Sequence, residues 1–220
     1  VDRLFAEGTP TVEQLDALMM RANERTENAD EATRTHVRVF SLTHNHTRAL
    51  LAMEDCAARG DFAGAVAKAD TMRGIRDEAA TIDPALLPHT PDWCKDQRST
   101  LEWFRKTYQS LADRCGGEKG DLVAMFPAQW EFKTDPREMG TLEEWYKPGN
   151  GGKWDAIDGS VYWEVQGYQD ETGWPYAGKA WYCGEVDVPS SAAGKPLRLT
   201  VGGVYNTGVW IWLNGLLVEH

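Results

Sequence analysis

The run Val209-Trp210-Ile211-Trp212-Leu213-Asn214-Gly215 most narrows the folds open to this chain. Five β-prone apolar residues lead straight into Asn-Gly, a pair that tolerates positive φ at both central positions of a two-residue turn. A β-hairpin is therefore predicted, with Leu216 starting the returning strand. Two further strand-like runs precede it, Ala180 to Pro189 and Leu197 to Val204, each bounded by Gly, Pro or polar residues. Side chains alternate across a strand, so Trp210 and Trp212 share one face of the last run, and Val209, Ile211 and Leu213 the other. With both faces apolar, one must meet an opposite sheet and the other a loop, a helix or a ligand.

The composition changes along the chain. Eight of ten Trp, six of seven Tyr and fourteen of twenty-one Gly lie after residue 120, whereas the earlier part is rich in Ala, Glu, Arg and Leu. Two domains are expected in an α+β chain: an antiparallel helical bundle over residues 1–117 and an antiparallel β-sandwich over 122–220. In the first, Thr11 caps a helix over about 11–28, in which Leu15, Leu18 and Met19 recur at helical spacing. A second helix, over about 31–59, carries apolar residues around much of its girth, Phe40 and Leu51 among them, and should be central. Arg59-Gly60-Asp61-Phe62 is a stop and a cap in succession, and Ala65, Val66, Ala69, Met72, Ile75 and Ala79 line the returning helix. After Pro84, Pro88 and Pro91, a last helix over about 96–114 turns Leu101, Phe104, Tyr108 and Leu111 inward. Gly116-Gly117 and Gly120 then lead to a first strand, Leu122 to Phe126.

From about residue 122 onward the order and spacing of motifs carry a family likeness. Trp130-Glu131-Phe132-Lys133-Thr134-Asp135-Pro136, Gly140, Trp145-Tyr146, Trp154-Asp155-Ala156-Ile157, Trp163-Glu164, Gly178-Lys179-Ala180-Trp181-Tyr182, Val188-Pro189, Gly202-Gly203-Val204 and the final Trp-rich run follow one another. The segment resembles the N-terminal sugar-binding domain of glycoside hydrolase family 2, the β-galactosidase and β-glucuronidase group. The resemblance implies a galactose-binding-like jelly roll beside a catalytic barrel, in a secreted or periplasmic enzyme of oligosaccharide or polysaccharide breakdown. The likeness stops at the Asn-Gly hairpin, short of the seven or eight strands of a full sandwich. A non-catalytic portion of a larger glycosidase is therefore expected, its open edge completed by the parent chain or by a second copy. The alternative is a protein-interaction or self-association module that binds no sugar.

Aromatic side chains give the candidate platform, since sugar C–H faces pack on aromatic planes. Trp174, Tyr176, Trp181, Tyr205, Trp210 and Trp212 are the candidates, with Asn206 at a loop tip as an amide that could bond sugar hydroxyls. For Trp181, Trp210 and Trp212 the competing reading is burial in the sandwich, and for Asn206 a simple turn. Trp174 and Tyr176, in the loop 170–178, fit exposure and burial equally.

The nine carboxylates between Glu143 and Asp187 show no spacing that selects a pair for glycoside hydrolysis. In the resembled family the acid and the nucleophile belong to the barrel, so no catalytic residue is expected here. A net charge of −11 disfavours nucleic acid, whose recognition depends on Lys and Arg. No apolar run approaches the about 20 residues that cross a bilayer, and no membrane partner is expected. His44 and His46, two apart on a helix, point away from each other and are read as packed, hydrogen-bonded side chains and not as a metal pair. The sequon Asn45-His46-Thr47 should be hidden on its helix. Cys56, Cys94, Cys115 and Cys183 lack zinc spacing and read as free thiols. No cofactor is implied; loop carboxylates leave a structural Ca²⁺ open without a dense ligand pattern to support it.

Overall fold

Each of the first three helices begins where the sequence supplies a cap. The computed structural model describes residues 11–83, 100–116, 119–201 and 208–219. In it α1 (Val12–Arg25) opens with a complete capping box, in which Thr11 accepts from the Gln14 N–H and the Gln14 side chain from that of Thr11. Asp30 accepts from Thr33 N–H at the start of α2 (Glu31–Ala58), and Asp61 from Gly64 N–H at the start of α3 (Phe62–Ile82). Between α2 and α3 the chain reverses at Gly60, whose φ of 76° suits a residue without a Cβ. The last helix, α4, is Thr100–Arg114; residues 96–99 of its expected start lie outside the described residues.

Two compact units divide at Leu122/Val123. The core of the first is made by Ala49, Met53 and Cys56 of α2, Ala65, Ala69 and Met72 of α3 and Leu101 of α4, with Phe104 and Tyr108 packed against it. Alanines on α3 allow close approach, and the larger Met and Phe side chains fill what remains. Arg38 pairs with Glu78 between α2 and α3, and Arg105 with Asp70 between α4 and α3, at 2.8 and 2.7 Å.

Three expectations for this unit are corrected. α2 is left open along one side: Phe40 is 67% and Leu51 43% exposed, because no described element covers that side. Leu18 is likewise exposed on α1. Asn45 of the sequon is exposed as well. The two histidines, by contrast, are hydrogen-bonded as expected: His44 to Asp16 at 2.5 Å, and His46 accepting from Arg76 Nε at 3.2 Å.

In the second unit β1 (Gln129–Asp135) lies between β2 (Asp155–Asp158) and β3 (Lys179–Cys183), antiparallel to both. Phe132, fully buried, faces Tyr182 across the sheet, and its ring meets Trp163, Tyr168 and Tyr182 at centroid distances of 5.8, 4.5 and 4.9 Å. A separate hairpin pairs β4 (Ile211–Leu213) with β5 (Leu216–Glu219). Its turn is the expected one, with φ of 51° at Asn214 and 82° at Gly215.

Among the described residues, four α-helices followed by small antiparallel sheets make the chain α+β. Leu122 to Phe126 forms no strand: it runs without a ladder partner, and Phe126 instead stacks on Trp130 at 5.1 Å. Leu197 to Val201 is exposed and unladdered as well, and residues 202–204 of that expected strand lie outside the described residues. A strand exists only where a neighbour takes its N–H and C=O groups, and among the described residues these two runs have none.

Candidate carbohydrate platform

Among the described candidate aromatics Trp174 is the most exposed, at 72%. Its loop is organised by Asp170, whose Oδ1 accepts from the Thr172 N–H at 2.8 Å, the Thr172 hydroxyl at 2.6 Å and the Trp174 N–H at 3.1 Å. The loop is closed again by Asp170 N–H donating to Trp174 O at 2.8 Å, by the bridge of Gln169 with Pro175, and by Gly173 at φ 85°. The Thr172 and backbone donors hold the Asp170 carboxyl below its ordinary pKa, so it stays ionised and the loop stays latched at neutral pH. A wide indole is thus carried on a pre-formed turn, with no ring partner among the described residues.

Two residues on, Tyr176 is buried at 7%, and this corrects its candidacy as an exposed platform. Its hydroxyl donates to Lys179 O at 2.7 Å, and its carbonyl accepts from Trp163 Nε1 at 2.9 Å. Trp174 thus stands outward and Tyr176 inward, and burial pushes the Tyr176 pKa up.

Trp181 and Trp212 are half-buried and stack on each other at 5.1 Å, and Trp212 also stacks on Tyr146 at 5.4 Å. Trp145 meets Trp181 edge-on at 6.0 Å and Trp154 at 6.1 Å, with the Lys133 ammonium 4.0 Å over its ring. These rings spend their faces on one another. Trp210 is 51% exposed, close to Gly208. Tyr205 and Asn206 lie outside the described residues.

The most closely held group in this unit is Asp135, which sequence reasoning passed over as part of a strand. Its side chain is 3% exposed and accepts three bonds: Met139 N–H at 2.8 Å, Gly140 N–H at 2.8 Å and Trp181 Nε1–H at 3.0 Å. Burial pushes its pKa up; the Trp181 indole, the two backbone donors and the Lys179 charge outweigh that and leave it lowered. Gly140 is obligatory here, since a Cβ at that position would sit 2.2 Å from Trp181 Nε1 and 2.8 Å from Asp135 Oδ2.

The other carboxylates serve structure too. Glu143 accepts from Trp145 Nε1, Glu144 pairs with Lys147, Asp158 accepts from Ser160, and Glu138 pairs with Lys179. Asp155, Glu164, Glu171, Glu185 and Asp187 are exposed. Among the described residues every carboxyl with a displaced pKa is displaced downward, the opposite of what a general acid needs. No group of three or more His, Cys, Asp or Glu among the described residues is placed to hold a metal ion, and none of their helices is long and apolar enough to cross a membrane. Cys56, Cys115 and Cys183 are free thiols.

No family model matches the chain, and neither a curated protein nor a solved structure matches it.

Proposed function

We propose that this chain is a non-catalytic carbohydrate-recognition portion of a larger glycoside hydrolase, with residues 122–220 as part of a galactose-binding-like jelly roll. The observation that carries the reading is Trp174, 72% exposed on a turn fixed by Asp170. A flat apolar face held rigidly in water loses little conformational freedom on binding, which is what a sugar-stacking residue requires. The involvement of Asp135, Glu143, Glu144, Asp158 and Asp170 in holding loops supports recognition without chemistry.

The test is calorimetric and fluorescence titration with β-galactosides, β-glucuronides and plant oligosaccharides, comparing the native chain with Trp174→Ala. Saturable binding that weakens about thirtyfold in the variant, equivalent to about 2 kcal/mol for a central aromatic contact, is the expected result. Flat titrations with a folded native sample would remove the reading.

One observation favours the second reading, a self-association or protein-interaction module. All four residues of β5 are exposed, with Leu216 at 72% and Leu217 and Val218 at 52% each, on the outer strand of a two-stranded sheet. Light scattering after size exclusion decides this: a concentration-dependent dimer abolished by Leu217→Lys supports it, and a monomer at all concentrations counts against self-association.

A further inference from the structure

α1 differs from the other helices in how it is held. None of its residues is buried, and its inward stripe of Val12, Leu15, Met19 and Ala22 is only half-covered. The core built by α2, α3 and α4 contains no α1 side chain. Polar contacts supply the specific ties to α2. Asp16 Oδ1 lies 2.5 Å from His44 Nε2, Asp16 Oδ2 accepts from Arg48 at 2.7 Å, and Ser41 Oγ donates to Asn23 Oδ1 at 3.2 Å. His44 is the best shielded of the group, with 12% of its side chain exposed against 33% for Asp16 and 55% for Arg48. Glu13, one turn earlier on α1, adds a like charge next to Asp16 and is itself drawn to Arg48.

A helix of fourteen residues is marginal in water on its own, even with good caps. Once undocked, α1 melts, and its amides exchange with solvent. Segments with few buried apolar contacts open at much lower free energy than the core around them.

We propose that α1 is a releasable arm, a local unfolding unit that leaves α2 while the α2–α3–α4 core stays folded, with the Asp16 carboxylate as its latch. Release bares His44, which α1 otherwise shields. The lowered pKa of Asp16, caused first by the His44 hydrogen bond and then, beyond an opposing burial effect, by Arg48, agrees with a latch that is ionised and engaged at neutral pH.

Native-state hydrogen exchange with mass spectrometry on the full chain at neutral pH tests this, using the native protein and Asp16→Asn. The expected result is α1 amides exchanging at least about tenfold faster than those around Met53 and Ala69, with a further several-fold gain in α1 alone in the variant. Exchange of α1 at the core's rate would overturn the arm. A fast α1 that Asp16→Asn leaves unchanged would overturn the latch, and a variant that speeds α1 and core equally would make α1 part of the cooperative unit.

Discussion

Replacing Asp135 by Asn changes one atom and should be among the most damaging substitutions in the second unit. The carboxylate accepts from three donors, two on Oδ2 and one on Oδ1, in a site 3% exposed. A carboxamide has one acceptor oxygen. Placed at the Oδ2 position, it keeps Gly140 N–H and Trp181 Nε1–H, but its NH₂ then faces the Met139 N–H, donor against donor. The lost charge-assisted bond is worth about 1.5–3 kcal/mol, and the stranded donor adds about 1–3 kcal/mol. Removing a buried charge returns part of its desolvation cost, so the expected net loss is about 2–4 kcal/mol. Because the folded pKa of Asp135 is lowered, its contribution is fully present above the unfolded value of about 3.9 and is lost as pH falls through the folded one. The gap between native and Asn proteins should therefore narrow toward acid. Urea unfolding followed by tryptophan fluorescence, at pH 7 and at pH 3, measures both quantities. A loss below 1 kcal/mol at pH 7, or an identical gap at the two pH values, would refute the reasoning.

Gly140→Ala should fail more severely than a surface Gly→Ala, by about 1–3 kcal/mol or more, because the new methyl meets the Trp181 ring at 2.2 to 2.4 Å; differential scanning calorimetry on the variant checks this. Gly215→Ala places a Cβ at φ 82° in the hairpin turn and should weaken β4–β5 by about 1–2 kcal/mol, read as faster amide exchange in residues 211–219. Burial first, and the Arg76 charge second, lower the pKa of His46. The unfolded chain then binds the extra proton more readily, so stability of the helical unit should decline as pH drops below about 6.5. Melting curves between pH 8 and 5 should show that slope in the native protein and a flatter one in His46→Gln.

Local signals in the sequence were sufficient where the physics is local. Thr11 and Asp61 cap helices because each needs only an N–H three residues away, and Asn214-Gly215 turns because both residues accept positive φ. The inward face of α3 was readable from its 3.6-residue period. Phe40 was not: apolarity on a second side of α2 says that a partner would be welcome, not that one exists. Asp135 was missed for the opposite reason, since two of its donors come from the turn at 139–140 and the third from Trp181, 46 residues on. The separation of Trp174 from Tyr176 was not visible. Asp170 and Thr172 spell a side-chain-closed turn, but which neighbour points inward depends on Trp163 and Lys179 across the fold. Strands were overcounted at 122–126 and 197–201 because β-prone residues reveal a preference, and a ladder needs a second strand in register.

Trp181 belongs at once to a polar contact and to an aromatic stack. Its N–H is committed to Asp135, and its ring face to Trp212 in the separate hairpin. Such a side chain behaves as a shared hinge pin: the three-stranded sheet and the hairpin cannot drift apart while it stays seated. Sliding β4 by one residue would turn Trp212 to the opposite face and leave the face of the Trp181 indole without its stacking partner. The register of the C-terminal hairpin is thus policed from a strand that does not pair with it.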